Sequence, residues 1–227
     1  MTNEPGNIGD LVLYKNNQFI AFNKPGGLPS QDDQTKEKSL LNLAEIYCKC
    51  PIHIINRIDR PTSGVVLFSK TKQSQASINE HLRERQIEKW YLAVVDKNIA
   101  PDKQTLTHTL LKDSKRKQAL VVEEGHPQGK KATLNYEVLE TIDRYALLLI
   151  KMETGRFHQI RAQLAHIGFP IKGDVKYGFR RSNKDRSIHL HAWKMAFTHP
   201  VSGERVTLTA PVPEEPVWQA FQYPQSH

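Results

Sequence analysis

The strongest constraint on the fold is a succession of short segments rich in β-branched and aromatic residues, separated by links of hairpin length. Such segments predict β-strands. They cover residues 11–14, 19–23, 52–55, 65–68, 90–95, 105–111, 119–122, 133–139, 146–152, 189–197 and 206–209. Many strands with short links and few helices indicate an α+β domain with a largely antiparallel sheet.

Helices are expected at four places along the chain. Ser39 is a candidate N-cap for a helix that runs through Tyr47, and residues 72–84 carry apolar side chains at helical spacing. Residues 159–167 show the same spacing and are followed by Gly168, a residue that commonly ends a helix. A short final helix is expected over residues 214–221.

Composition limits the class of protein. The chain has 227 residues, a net charge of +8, and no apolar run long enough to cross a bilayer. Because the first ten residues lack a signal-peptide pattern, we expect a cytoplasmic protein. Cys48 and Cys50 are interpreted as reduced thiols. The positive charge favours a polyanionic partner. The loop at residues 170–187 carries six Lys or Arg residues and two acidic residues. Such a loop could bind phosphates, or it could be an ordinary solvent-exposed charged loop.

Three residues are candidates for chemistry. Asp59 follows a strand-like run and precedes a Pro and small-residue turn, so it could be catalytic or an Asx-turn residue. Arg161 could hold a carboxylate ionised, as a nucleophile or base requires, or could face solvent. Tyr91 could stack on a base or belong to the core.

Metal chemistry is not predicted. His189 and His191 share a strand face and His158 lies near His166 in sequence, yet no HExxH pattern or Cys/His spacing completes a site. Structural roles for these His residues are favoured. No Gly-rich phosphate loop occurs, and we expect no cofactor.

Several ordered motifs resemble those of one known family. The segment from Asn56 to Gly64 (NRIDRPTSG) is similar to the HRLDxxTSG signature of the RluA-type pseudouridine synthases, and the segment from Thr154 to Gly178 resembles their later TGRxHQIR…GDxxYG segment. Further matches are Lys24 to Leu28, Lys89 to Ala93, His189 to Ala192, and His199 with Pro200. These motifs occur in the family's order from about residue 11 to residue 213.

The resemblance implies a fold and a set of site residues. The fold is one catalytic domain, α+β, with a mostly antiparallel mixed sheet, flanking helices and a central RNA-binding cleft. Its predicted limits are residues 11–222, between a flexible N-terminus (1–10) and a C-terminal tail (223–227). Asp59 matches the essential aspartate, Tyr91 the tyrosine that packs against the target base, and Arg161 the arginine that pairs with the aspartate. The predicted RNA-contact residues are Arg57, which would fill the gap left by the extruded nucleotide, and Thr62, Arg156, His158, Gln159, Lys172, Lys176, Arg180 and Arg181.

The implied activity is the conversion of uridine to pseudouridine in structured RNA. Ribosomal RNA is slightly preferred over transfer RNA as the target, and a compact monomer without an S4-type domain is expected. Departures from the pattern at Asn56, Ile58, Phe157 and Gln163 lie beside the catalytic groups, so they bear on substrate preference more than on activity. Two alternatives remain: a non-catalytic RNA-binding protein on the same fold, and a nucleoside or glycoside hydrolase, although no second carboxylate partners Asp59 in the motifs.

Overall fold

The computed structural model describes residues 7–32 and 37–223. They form two compact units, the first built from residues up to 89 and 191–213, the second from residues 90–190 and 214–223. Of the predicted flexible N-terminus and C-terminal tail, residues 1–6 and 224–227 lie outside the described residues. Ile8–Leu11 form a short 3-10 helix, capped by the Asn7 side chain. The predicted domain limits stay a prediction.

The described residues contain eleven strands and four α-helices, which agree closely with the sequence pattern. In chain order they are β1 (Val12–Lys15), β2 (Phe19–Lys24), α1 (Leu40–Cys48), β3 (His53–Ile54), β4 (Ser63–Ser69), α2 (Lys72–Arg83), β5 (Glu88–Asp96), β6 (Lys103–Asp113), β7 (Gln118–Val122), β8 (Lys130–Thr141), β9 (Tyr145–Met152), α3 (Gln159–His166), β10 (Leu190–Thr198), β11 (Arg205–Thr209) and α4 (Pro216–Gln219). A second 3-10 helix, Val175–Tyr177, was not predicted.

The first unit is organised around β4. This strand pairs antiparallel with β2 and β3 and parallel with β10, while β1 extends β2 and β11 extends β10, both antiparallel. All seven β4 residues are buried, which explains their nearly continuous apolar run. Helix α2 contributes Ile78 to a core that also contains Phe19, Leu67 and Phe197. Ser39 caps α1 as predicted, in a capping box with Asn42.

Gly64 explains why the first motif must contain a glycine. Its φ is +114°, and a Cβ built there would lie 2.2 Å from the carbonyl oxygen of Ala192. Gly64 and Ala192 are register partners in the parallel pairing of β4 with β10. Only glycine allows the two backbones to approach so closely. The small residue that follows the Asp59 turn is therefore required by strand packing.

The second unit is an antiparallel sheet in the order β5, β9, β8, β6, β7. Helix α3 places Ile160 and Leu164 against a core that includes Leu134, Leu148 and Ile150. A smaller cluster forms where α3 meets the β6–β7 hairpin, with Ala162, Ala119, Leu110, Phe157 and Tyr177 as members. The α+β class with a mostly antiparallel mixed sheet is confirmed.

Candidate active site

Asp59 lies in the connection between β3 and β4 of the first unit. Its side chain is half-buried, and its backbone carbonyl accepts a hydrogen bond from the Thr62 N–H at 3.0 Å. This bond closes a four-residue turn with Arg60 and Pro61 at its centre. The turn is therefore closed by backbone groups.

The segment from Lys24 to Ser30 holds both residues that flank Asp59. On one side, Ser30 Oγ donates to the Ile58 carbonyl at 2.8 Å and accepts from the Ile58 N–H at 3.3 Å. On the other side, the Gly27 N–H donates to the Arg60 carbonyl at 2.8 Å, and Arg60 Nε donates to the Gly27 carbonyl at 2.9 Å. The backbone on either side of Asp59 is thus fixed by reciprocal hydrogen bonds.

Lys24 is fully buried and supports the same turn. Its Nζ donates to the carbonyls of Leu28 (2.7 Å), Pro25 (2.9 Å) and Arg60 (3.1 Å). These three acceptors match the three N–H groups of an ammonium. Burial lowers the pKa of Lys24 to about 7. The negative charge of Asp59 acts to raise this pKa, and the positive charge of Arg60 acts to lower it. The sequence placed Lys24 in a matched motif just after a predicted strand and gave no reason to expect a buried cation.

The buried charge of Lys24 predicts a distinct pH dependence of stability. Between pH 7 and about 10.5 the unfolded chain keeps a proton that the folded chain has released, so the free energy of unfolding rises with pH in this window. Relative to a Lys24→Met variant, the wild type should gain up to about 1.4 kcal/mol per pH unit there. Urea unfolding of both proteins from pH 6 to 10 measures the difference. Parallel stability curves would contradict the prediction.

His191 and Ser63 form a buried pair in the first unit. His191 Nε2 lies 3.1 Å from the Ala210 carbonyl, which can only accept, so this nitrogen carries the proton and Nδ1 accepts from Ser63 Oγ at 2.8 Å. Burial lowers the pKa of His191 to about 4. The imidazole is therefore neutral near pH 7. Its role is structural, because its hydrogen bond with Ser63 anchors the first residue of β4.

Arg161 lies on α3 in the second unit and is 4% exposed. Its Nε and Nη2 donate to the two carboxylate oxygens of Asp174, at 2.7 and 2.8 Å. Asp174 is 1% exposed, so this is a buried, bidentate ion pair. From the sequence, Asp59 was the expected carboxylate partner of Arg161, and Asp174 was not expected there, although the Gly-Asp pair lies in the matched motif. Pairing of Arg161 with Asp59 stays a prediction.

His158 and Tyr177 contact the remaining side of Arg161. Arg161 Nη1 lies 3.1 Å from His158 Nε2, and His158 Nδ1 lies 2.9 Å from the Tyr177 hydroxyl. The Tyr177 ring also lies beneath the guanidinium, 5.0 Å from its Cζ. Both ring nitrogens of His158 are therefore engaged within the protein, and its predicted RNA contact stays a prediction.

The Thr-Gly-Arg turn before α3 is organised by Gln159, which is 2% exposed. Gln159 Oε1 accepts from Thr154 Oγ1 at 2.8 Å and from the Arg156 N–H at 3.0 Å, and Nε2 donates to the Thr133 carbonyl at 3.1 Å. These contacts identify Gln159 as a residue that shapes the turn. Contact of Gln159 with RNA would require its neighbours to move, and it stays a prediction.

Tyr91 is half-buried on β5, opposite Ile150 of β9, and packs against the core of the second unit. The neighbouring Trp90 ring lies 5.7 Å from Lys151 Nζ. Because successive side chains of a strand point to opposite faces, the Trp90 and Tyr91 rings lie on opposite faces of β5. Stacking of Tyr91 on a uracil base stays a prediction.

The other predicted RNA-contact residues differ in exposure. Arg57 is exposed, whereas Thr62 is 1% exposed and its hydroxyl has no hydrogen-bond partner within residues 7–32 and 37–223. Lys172 is half-buried; its Nζ donates to Asn183 Oδ1 at 2.9 Å, and burial lowers its pKa. The exposed members of the set in the second unit are Arg156, Lys176, Arg180 and Arg181.

His189 is buried beside α4 in the second unit. Its Nε2 contacts Glu215 Oε2 at 2.8 Å, its Nδ1 accepts from the Asn183 amide at 3.0 Å, and its ring stacks on Trp218. Burial, together with the nearby charge of Lys172, lowers the pKa of His189 to about 4. These contacts attach the C-terminal helix to the second unit. In the part of the chain that the structure describes, no three His, Cys, Asp or Glu side chains are grouped as metal ligands would be.

Comparison with known proteins gives these side chains a context. A family model described as RNA pseudouridylate synthase matches residues 18–166, which include Asp59, Tyr91 and Arg161. The chain belongs to this family. It is 32% identical over 213 residues to the uncharacterised RNA pseudouridine synthase YlyB of Bacillus subtilis, covering 90% of this chain and 69% of the relative. It is 31% identical over 216 residues to the ribosomal large subunit pseudouridine synthase C of Buchnera aphidicola, covering 90% and 68%.

Solved structures agree with the family assignment. The human RNA pseudouridylate synthase domain containing 1 superposes with a TM-score of 0.78 at 25% identity, over 98% of this chain and 94% of that one. The human domain containing 4 has a TM-score of 0.74 at 24% identity, over 91% and 90%, which supports the fold. The predicted RluA-type membership is confirmed: the protein is an RNA pseudouridine synthase, an isomerase that acts on RNA. Among the described residues, no helix has the length and apolar character needed to span a bilayer.

Proposed function

We propose that this enzyme isomerises specific uridines of structured ribosomal RNA, with Asp59 as the essential carboxylate and with the target base flipped out of its helix. The observation that carries the proposal is the anchoring of Asp59. Hydrogen bonds fix the backbone on both of its sides, while Asp59 itself is only partly buried. A catalytic group benefits from such preorganisation because little reorientation is needed in the transition state.

The chemistry requires a carboxylate and no cofactor. The C1′–N1 glycosidic bond breaks, the uracil turns, and C5 bonds to C1′; the proton lost from C5 is balanced by a proton gained at N1. Asp59 could attack C1′, add to C6, or remove the proton at C2′. Each route needs the anionic form of Asp59. Lys24, buried beside the turn, interacts electrostatically with Asp59.

Access to C1′ requires that the uridine leave its stack, at a cost of a few kcal/mol. In the proposal, stacking on Tyr91 offsets about 1 to 3 kcal/mol of this cost. Arg57 is exposed on the Asp59 turn, two residues before the carboxylate, where it could fill the space that the flipped nucleotide vacates. Arg161 would hold the carboxylate ionised from α3.

RNA affinity is assigned to exposed cations of the second unit. Arg156, Lys176, Arg180 and Arg181 are exposed near α3 and the loop that follows it. The β6–β7 turn adds Lys115, Arg116 and Lys117, and Lys176 Nζ donates to the Lys117 carbonyl at 3.2 Å, so the turn and the loop touch. Such cations bind phosphates in a salt-dependent way. The choice of ribosomal RNA follows the relative named as a large-subunit pseudouridine synthase.

Incubation of the purified enzyme with unmodified ribosomal RNA and, separately, with unmodified transfer RNA tests the proposal. We expect pseudouridine at discrete ribosomal positions, with unchanged RNA mass and no free uracil. Mapping pseudouridines in a strain that lacks the gene should show the same positions lost. Conversion of transfer RNA alone would refute the ribosomal target. Release of uracil would indicate a hydrolase, and binding without conversion would indicate a non-catalytic RNA-binding protein.

A further inference from the structure

The guanidinium of Arg161 is contacted by three residues, of which two, Asp174 and Tyr177, are distant in sequence. Asp174 accepts from Nε and Nη2, His158 Nε2 lies 3.1 Å from Nη1, and the Tyr177 ring lies beneath the plane at 5.0 Å. Asp174 and Tyr177 belong to one 3-10 turn, in which the Tyr177 N–H donates to the Asp174 carbonyl at 3.1 Å. This turn therefore contributes two of the three contacts.

The third contact also depends on Tyr177. A guanidinium can only donate, so His158 Nε2 accepts from Arg161, and the ring proton lies on Nδ1. Nδ1–H then donates to the Tyr177 hydroxyl at 2.9 Å. The same hydroxyl accepts from the Ala119 N–H at 2.7 Å, at the start of β7. The guanidinium thus sets the tautomer of His158, and the Tyr177 hydroxyl orients its ring.

Backbone and ring contacts leave His158 little freedom. It adopts a left-handed conformation (φ 49°) at the first position before α3, and its ring stacks on Phe157 with centroids 3.8 Å apart. The fixed ring presents Nε2 to a side chain one helical turn later. His158 and Tyr177 therefore fix the orientation of Nη1, whereas Asp174 accepts from Nε and Nη2.

We propose that Tyr177, acting through His158, is a positioning residue of Arg161 in the isomerisation. The proposal rests on the role assigned above to Arg161 beside the catalytic carboxylate. Tyr177 does not touch the reacting atoms in this scheme. Its hydroxyl keeps the guanidinium in the orientation that catalysis requires, and a misplacement of about 1 Å at such a group can cost about a hundredfold in rate.

The Tyr177→Phe variant removes only the hydroxyl and keeps the ring under Arg161. We expect kcat for pseudouridine formation to fall about 10- to 100-fold, with KM for RNA within about twofold of wild type. The matched control is Tyr136→Phe in the same unit, which deletes a hydroxyl that contacts the Pro101 carbonyl (3.0 Å) and Gln104 Oε1 (3.2 Å). The control should keep wild-type kcat. Equal losses of kcat in the two variants, or a change in KM alone, would overturn the proposal.

A double-mutant cycle with Arg161→Lys separates positioning from general stabilisation. If Tyr177 acts through Arg161, adding Tyr177→Phe to Arg161→Lys should change kcat less than about twofold. Independent effects would multiply, and that result would overturn the proposal. If the kcat of Arg161→Lys is too low to measure, the Tyr177→Phe single variant is the test. A lower kcat with an unchanged KM supports the positioning role, and a change in KM alone overturns it.

The failure of this inference is distinguishable from failure of the proposed function. An inactive Asp59→Asn variant together with an unaffected Tyr177→Phe variant refutes the positioning role and leaves the function intact. If Asp59→Asn is active, or if Arg161→Lys keeps the wild-type kcat, the catalytic roles assigned above are wrong. The positioning role of Tyr177 then has no basis either.

Discussion

The Asp59→Asn variant is expected to lose at least about 10⁴-fold in the rate of pseudouridine formation, because an amide can serve neither as nucleophile nor as base near pH 7. Folding should persist. The turn is closed by the backbone carbonyl of residue 59, and Ser30 and Lys24 hold the residues on either side. RNA affinity should also persist, within about threefold, because phosphate contacts supply most of it.

Single-turnover conversion with enzyme in excess measures the chemical step directly. Thermal unfolding and RNA titration of the same preparation show whether fold and binding remain. Asp143→Asn is a matched control, since Asp143 is exposed and the substitution is chemically identical. A rate for Asp59→Asn within tenfold of wild type would rule out Asp59 as the essential carboxylate.

The second large effect is expected at Asp174, in stability. Asp174→Asn removes the carboxylate charge that pairs with the buried guanidinium of Arg161 through two hydrogen bonds, and breaking such a pair costs about 3 to 5 kcal/mol. The comparison is Glu137→Gln, which breaks the exposed Lys103–Glu137 pair in the same unit and should cost less than about 1 kcal/mol. Urea unfolding monitored by tryptophan fluorescence gives both values. Similar small losses in the two variants would show that the buried pair does not stabilise the fold.

A double substitution tests the cause of that loss. Arg161→Met with Asp174→Leu removes both charges together and should recover much of the stability, because no buried charge remains unpaired. Pseudouridine formation should not recover, since the proposed partner of Asp59 is gone. Recovery of stability without recovery of activity would separate the contribution of Arg161 to stability, through Asp174, from its proposed contribution to catalysis, through Asp59.

Most of the fold was predictable because the signals are local. Alternating and continuous apolar runs mark β2, β4 and β9 within one or two residues, and Ser39 and Gly168 mark the start of α1 and the end of α3. The 3-10 turn Val175–Tyr177 was missed because three residues carry no periodic pattern. The tertiary contacts that it makes determine its position.

The candidate site was predicted in part. Motif resemblance selected Asp59, Tyr91 and Arg161, and their catalytic roles remain predictions. The RNA contacts of His158 and Gln159 also remain predictions; in the structure their polar atoms contact Tyr177, Arg161 and the turn before α3. Polar residues in a motif do not reveal whether they face a ligand or their own backbone, because that depends on groups far along the chain.

By itself, the sequence determined the strand and helix pattern, the family and the identity of the candidate catalytic residues, since these depend on side-chain types and local spacing. Only the tertiary structure decided which groups surround them. Lys24 is buried because carbonyls from residues 28 and 60 converge on its Nζ, and Arg161 is fixed because Asp174 and Tyr177 lie on one turn. Hydrogen-bond partners and desolvation arise from proximity in space, which residue types alone do not encode.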